Sequence, residues 1–277
     1  MKVSVVKLKG GLGNQMFQYA FYLALKEKHP LACYLFDNEE SRYCHNGIAL
    51  DDAFGIETAN KAKWCRRVYR HLPVIFKNAC LIEQENALQY DAKYLNSKGF
   101  AAIFNGYWQS EKYFSPVAEK VRNAFRFREE RISGKNKEMA DTLQGLETVS
   151  VHIRRGDYLQ LTEYHGLCME SYYHEAMDYM RKRHPNATFV FFSDDIPWVK
   201  ENIKDDSAVY VDWNVGKDSW QDMYLMSQCK HNIIANSSFS WWGAWLNGNP
   251  DKIVVAPKQW FVVSPNYDIL PNDWITI

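Results

Sequence analysis

From about residue 148 onward, short apolar runs alternate with helical stretches, and little chain lies between them. This alternation limits the fold more than any other feature of the sequence. Residues 149–153, 188–192, Val209–Val211, 232–235 and 253–256 read as strands, and 172–183, 219–227 and 240–246 read as helices. Apart from 149–153, where Ser150 and His152 alternate with apolar residues, the strand runs have no polar residue at every second position. Strands of that kind are covered on both faces, which implies a parallel sheet between two helical layers. The amino terminus repeats the pattern. Val3–Leu8 reads as a strand, Gly10-Gly11-Leu12-Gly13 breaks it, and Met16, Phe17, Ala20, Leu23 and Ala24 then recur at helical spacing. Leu31–Phe36 reads as the next strand, ending at Asp37.

Between residues 38 and 147 the pattern is weaker. A strand is expected at 101–104 and mostly helix at 111–126. The polar stretch 133–137 is the best linker candidate, so the chain is expected to divide into an amino-terminal domain, 1–140, and a carboxyl-terminal domain, 141–277. A chain of 277 residues, 47% hydrophobic and 24% charged, is long enough for two such cores.

Composition excludes several functions. Lys+Arg and Asp+Glu balance at 33 each, so there is no basic excess of the sort nucleic-acid binding needs. The one basic patch, residues 61–70, reads as an amphipathic helix with a solvated basic face, and contact with a membrane surface is its alternative reading. Six cysteines (Cys33, Cys44, Cys65, Cys80, Cys168 and Cys229) show neither a C-x-x-C pair nor zinc spacing. Scattered thiols, no leader-like segment and no bilayer-length apolar stretch lead us to expect a cytoplasmic protein without a transmembrane segment.

Four motifs carry the chemistry. In Val151-His152-Ile153-Arg154-Arg155-Gly156-Asp157, strand alternation puts His152 and Arg154 on one face and Val151 and Ile153 on the other. Arginines at the carboxyl end of a parallel strand lie where such sheets bind ligands, and their forked geometry suits phosphate. An exposed strand end paired to Asp157 is the bland alternative. Asn236-Ser237-Ser238-Phe239-Ser240-Trp241-Trp242-Gly243 joins a strand to a helix. Hydroxyls and backbone N–H groups at a helix start can hold an anion or simply cap the helix. Its paired tryptophans read as core. Phe191-Phe192-Ser193-Asp194-Asp195 delivers two carboxylates to a strand end, suited to a guanine edge or to capping the helix that starts near Ile196-Pro197. Gly10-Gly11-Leu12-Gly13-Asn14-Gln15 comes directly after the first strand. It matches a dinucleotide fingerprint only in part, because Met16 replaces the third glycine.

Taken together, these motifs resemble the bacterial α-1,2-fucosyltransferase family. The likeness runs over nearly the whole chain, through residues 10–20, 152–158, 191–195 and 236–246. It implies an α/β GT-B fold, with two Rossmann-like domains facing each other across a cleft, an acceptor-side domain first and a GDP-fucose-binding domain second. It further implies an inverting, metal-independent transfer of L-fucose from GDP-fucose to the 2-hydroxyl of a terminal β-galactoside on a glycan acceptor. No cofactor is implied. Arg154 would contact the pyrophosphate, and His152 would line the donor pocket. Ser237, Ser238 and Phe239 would hold the phosphates, with Asp194 or Asp195 on the guanine and the Gly13-Asn14 loop facing the same cleft. The base stays unassigned among His152, Asp157, Glu163 and His165. Two other readings are a nicotinamide-dependent oxidoreductase, resting on Gly11, Gly13 and Asp37, and a non-catalytic glycan-binding protein, resting on the aromatic content.

Overall fold

The structure is a computed structural model that describes residues 2–36, 47–57, 67, 69, 71–156, 168–262 and 268–277. It contains two compact units. Met1–Arg128 with Tyr267–Pro271 form the first, and Glu129–Asn266 with Asn272–Ile277 the second. The division therefore falls at 128/129 and not at 140/141. Residues 133–137 are no linker, because Ser133 caps a helix, α5 (Gly134–Gln144), by accepting a hydrogen bond from Asn136 N. A Ser-Gly-Lys-Asn-Lys run is polar whether it links or caps, and local composition cannot tell the two apart.

In the first unit a parallel sheet has the order β2-β1-β4-β3, built from β1 (Val3–Leu8), β2 (Leu31–Phe36), β3 (Leu81–Glu83) and β4 (Ala101–Asn105). Between β1 and β2 runs α1 (Leu12–Lys28), which buries Met16, Phe17, Ala20, Phe21, Ala24 and Leu25 and places Lys26 and Lys28 in its last turn, where cations complement the helix dipole. The unit's shorter helices with described bounds are α2 (Leu50–Phe54), α3 (Val74–Cys80) and α4 (Ala118–Ala124). The helical stretch expected at 111–126 is two 3-10 turns followed by α4. Of the basic patch at 61–70, only Arg67 and Tyr69 lie within the described residues, both in helix.

The second unit is wound more regularly. Its strands are β5 (Thr148–Ile153), β6 (Thr188–Ser193), β7 (Val209–Val211), β8 (His231–Ile233), β9 (Val254–Ala256) and β10 (Ile275–Thr276), all parallel, in the order β10-β9-β8-β5-β6-β7. Counted from β5 this is 3-2-1-4-5-6, the doubly wound order that reverses direction between its first and fourth strands. One face packs on α6 (Glu170–Arg183) and α7 (Ile196–Asn202) through Val149, Val151, Ile153, Tyr173, Met177, Phe189, Phe191 and Val199. The other packs on α5 and α8 (Trp220–Gln228) through Leu143, Val190, Phe192, Val211, Leu225 and Met226. Each fully buried side chain of this size contributes roughly 1.5–3 kcal/mol. The last helix, α9 (Ser238–Leu246), buries Trp241 and Trp242 completely. The tryptophan pair is core, as its sequence suggested.

A second expectation is corrected here. Cys33 is disulfide-bonded, while Cys80, Cys168 and Cys229 are free, so the cysteines are not all thiols. Spacing reveals clustered metal sites but not pairs brought together by folding. Among the described residues no helix is long and apolar enough to cross a membrane.

A polar network ties α5 to α8. Asn136 Nδ2 donates to Gln221 Oε1 and Asn214 Oδ1, both at 2.7 Å, and Asn214 Nδ2 donates to Asp222 Oδ1 at 2.8 Å. Burial raises the Asp222 carboxyl from 3.8 to about 7. Between those values the folded chain keeps a proton that the unfolded chain releases, so this group costs stability as pH rises through the window. An amide at 222 can accept the same bond from Asn214 without carrying charge. Asp222→Asn is therefore expected to raise the unfolding free energy by roughly 1–3 kcal/mol at about pH 8 and by almost nothing near pH 4. Denaturant titrations at both pH values check this, and an equal effect at both would rule out the ionisation argument.

Candidate functional site

In the doubly wound unit the strand order reverses between β5 and β8. The loops leaving these two strands at their carboxyl ends diverge, and the crevice between them is where such sheets receive ligands. β5 continues into Arg154-Arg155-Gly156, and β8 leads through Asn236 and Ser237 into α9. His152 and Phe239 meet there, ring centroids 5.8 Å apart.

β5 is buried along its whole length. Val149, Val151 and Ile153 face the α6–α7 side, which leaves His152 on the opposite face, as alternation requires. Past the end of β5 the chain is fastened by Asp194, at the end of β6. Asp194 Oδ2 lies 3.0 Å from Arg154 Nη1, and Asp194 Oδ1 accepts the Arg155 backbone N–H at 2.9 Å. Both side chains of the Arg154–Asp194 pair are about three-quarters covered. The close fit also explains Gly156, where an added Cβ would stand 2.7 Å from Asp194 Oδ2.

Arg155 goes elsewhere. Its guanidinium stacks 3.7 Å from the Trp198 ring centroid, and its Nε lies 3.3 Å from Asp195 Oδ2. Asp195 also caps α7, accepting from Trp198 N at 3.2 Å, while its own N–H donates to Ser193 Oγ at 2.9 Å. The helix-capping reading of Asp195 is thus realised. Sequence reasoning missed Trp198 as the platform for Arg155. Its position three residues after the capping Asp195 was the available signal, since that puts it in the first turn facing the cap.

The β8–α9 connection is fastened by its own side chains. Asn236 Nδ2 donates to Trp260 O at 3.0 Å, and Asn236 Oδ1 accepts from Cys168 Sγ at 3.4 Å. Ser237 Oγ caps α9 by accepting from Phe239 N at 3.3 Å. Ser238 and Phe239 are half-buried at the start of the helix. The helix opens towards the crevice with the positive end of its dipole.

The glycine motif of the first unit is tied in the same manner. Gly10 has a φ of +75°, open to glycine without strain. Gln15 Nε2 donates to Gly10 O at 2.7 Å, Gln18 Oε1 accepts from Lys9 N at 2.7 Å, and Asn14 Oδ1 accepts from Gln109 Nε2 at 2.8 Å. Gly13 and Asn14 form the first turn of α1, where Met16 is wholly buried. Asp37, Asp157, Glu163 and His165 lie outside the described residues.

Among the described residues Glu147, His184 and His231 converge like metal ligands, at the amino end of β5, away from the crevice. Their chemistry argues against an ion. His231 Nδ1 accepts the Ile253 backbone N–H at 2.9 Å, which puts the ring proton on Nε2, directed at Glu147 Oε1 at 2.9 Å. A nitrogen that carries a proton offers no lone pair to a metal.

Burial, reinforced by the Arg154 charge, lowers His152 from 6.5 to about 3, so its imidazole is neutral at physiological pH and a weak base. Among the described residues its Nδ1 is buried without a hydrogen-bond partner. Between about pH 6.5 and 3 the unfolded chain takes up a proton that the folded chain refuses, so stability falls as pH falls through that window. His152→Asn is expected to reduce proton uptake on unfolding by about one between about pH 6 and 5, up to ~1.4 kcal/mol per pH unit in slope. An unchanged slope in denaturant titrations would mean that the ring is already charged in the folded protein.

Comparison with known proteins agrees with this geometry. The profile described as Glycosyl transferase family 11 matches residues 2–277. The chain is 35% identical to the alpha-1,2-colitosyltransferase of Escherichia coli, over 100% of this chain and 99% of that protein. It is 31% identical to the O-antigen biosynthesis glycosyltransferase WbnK of Escherichia coli, over 98% and 99%. It is 29% identical to galactoside alpha-(1,2)-fucosyltransferase 1 of Homo sapiens, over 97% of this chain and 73% of that one. Among solved structures, the fucosyltransferase NodZ from Bradyrhizobium matches with a TM-score of 0.54 at 13% identity, covering 87% of this chain and 91% of that chain. A variant of Arabidopsis thaliana FUT1 in complex with GDP matches with a TM-score of 0.53 at 12% identity, covering 92% and 70%. The fold is accordingly α/β, of the GT-B class.

Proposed function

We propose that this chain, which belongs to glycosyl transferase family 11, transfers L-fucose from GDP-fucose to the 2-hydroxyl of a terminal β-galactoside, with inversion and without a metal. Membership makes it a glycosyltransferase and disposes of the oxidoreductase and simple glycan-binding readings. One observation carries the finer reading. At the strand-order reversal, Asp194 fixes both the Arg154 guanidinium and the Arg155 main chain, while Ser237 caps a helix that opens on the same crevice. That arrangement suits a diphosphate. The α-1,2 linkage in the names of two relatives supports the site of attachment.

As the bond from fucose to phosphate breaks, negative charge grows on the leaving diphosphate. Groups already fixed towards that charge stabilise the transition state more than the ground state. Arg154 supplies a permanent positive charge, with Asp194 holding its orientation. Ser237, Ser238 and Phe239 present the helix start to the phosphates. Neutral His152 offers a hydrogen bond in the donor pocket, and its low basicity argues against it as the base that accepts the galactose proton. Asp157, Glu163 and His165 are the remaining candidates for that role. The purified chain, given GDP-fucose and β-galactosides, should form a fucosylated product seen by mass spectrometry, at a rate unchanged by EDTA. Loss of activity on chelation, restored by magnesium or manganese, would remove the arginine argument.

A second reading concerns the donor sugar. The relative at 35% identity is named for colitose, which is L-fucose lacking the 3-hydroxyl. Parallel reactions with GDP-fucose and GDP-colitose decide between them. A site that bonds the 3-hydroxyl discriminates strongly against its absence, whereas an apolar site tolerates either sugar.

Arg154→Lys retains charge and loses the fork. It is expected to cut turnover by about 10²–10³-fold with the melting temperature preserved. Arg155→Lys should affect turnover less, since Arg155 packs on Trp198. Asp194→Asn should weaken GDP and inorganic pyrophosphate by similar factors in calorimetry, because Asp194 acts through Arg154. Weakening of GDP alone would assign the carboxylate to the guanine instead.

A further inference from the structure

α3 buries none of its seven residues. Its first three, Val74, Ile75 and Phe76, are 68%, 81% and 60% exposed. Large apolar side chains scattered singly on a surface are ordinary, but three in one turn mark a contact surface. This turn is not loose. At the far end of the helix Cys80 packs with Tyr69 against the sheet residues Val5, Cys33, Leu35 and Ile103, and Lys77 Nζ lies 4.8 Å from the Tyr69 ring centroid. The fold therefore anchors one end of α3 and holds the other out in solvent.

The charge in the sequence leading into it and along it has one sign. No Asp or Glu occurs between Glu57 and Glu83, while Lys61, Lys63, Arg66, Arg67, Arg70 and Lys77 all fall in that interval, in a chain of net charge +0. Within the described residues Arg67 and His71 are exposed beside the apolar turn in sequence.

We propose that the α3 turn and its flanking cations dock on an anionic lipid bilayer. Val74, Ile75 and Phe76 enter the boundary between headgroups and acyl chains, and Arg67 and Lys77 lie over the anionic headgroups. Charge and shape select this occupant. A second copy of the chain would bring like charges together across a two-fold interface. An acidic peptide would satisfy the cations but leave three outward-projecting apolar side chains without a groove to fill. A bilayer satisfies both. The inference rests on surface residues of the first unit alone, and it stands whichever sugar the chain transfers.

The test uses the full chain and flotation with vesicles of phosphatidylcholine, with or without phosphatidylglycerol. Binding should require phosphatidylglycerol and weaken as salt is raised. The triple variant V74S/I75S/F76S should lower the partition coefficient roughly tenfold or more, and R67Q/K77Q about tenfold. Circular dichroism melts and transfer to a soluble acceptor should match the parent for both variants, since the substituted residues belong to neither core nor crevice. The proposal is overturned if the parent ignores anionic vesicles, or if the triple variant binds them as the parent does. It is also overturned if the parent binds polyglutamate but not vesicles, or if it forms dimers that the triple variant disperses.

Discussion

Complete burial of β5 on both faces, between β6 and β8, is the constraint that creates the crevice. A strand with helices above and below cannot carry a solvated group until it leaves the sheet, so polar residues on it must be neutral or paired. His152 sits one residue before that exit and is held neutral. Arg154 is the first residue past the exit and carries its charge. The passage from neutral to charged within three residues is thus set by where β5 leaves the sheet, and it places a permanent cation at the mouth of an apolar interior.

A cation placed there takes a fixed direction only if a partner holds it. Asp194 holds it from the neighbouring strand, whose register pairs Ile153 with Ser193 and so brings the two strand ends level. One carboxylate then holds a side chain and a main-chain N–H at once, and glycine at 156 leaves room for it. Such a pair is partly desolvated and adds little net stability. Its value is orientation. Asp195 does comparable work for Arg155, and the two adjacent carboxylates divide between the two adjacent arginines.

Positive potential need not come from side chains. The β8–α9 connection contributes a helix dipole and a capping hydroxyl, held by Asn236 through Trp260 and Cys168. Strand reversal explains why Phe239 at the start of α9 meets His152, although more than eighty residues separate them in the chain. The first unit has a simpler plan, in which Gln15 and Gln18, both buried, close the backbone bonds of the turn between β1 and α1. A motif that imitates a nucleotide fingerprint is here largely occupied with its own folding.

Much of this was legible in the sequence. Strand runs that are mostly apolar without alternation announced the parallel sheet, because burial on both faces leaves a direct composition signature. Alternation along 151–155 separated Arg154 from Arg155, because the period of a strand is fixed by backbone geometry. The four motifs named the family, because each concentrates polar groups at a strand end. What sequence could not decide was decided by contacts between distant segments. Residues 133–137 read as a linker because capping and linking use the same residue types. β3 and α3 escaped notice because short elements carry too few residues for a period to show, and Cys33 found a partner that spacing did not reveal. The engagement of Asp194 with Arg154, of Asp195 with Arg155, and the stack on Trp198 depended on strand register. Register is a property of the assembled sheet, so residue types and their local order determined which groups arrive at the crevice, and only the tertiary structure decided which of them hold one another.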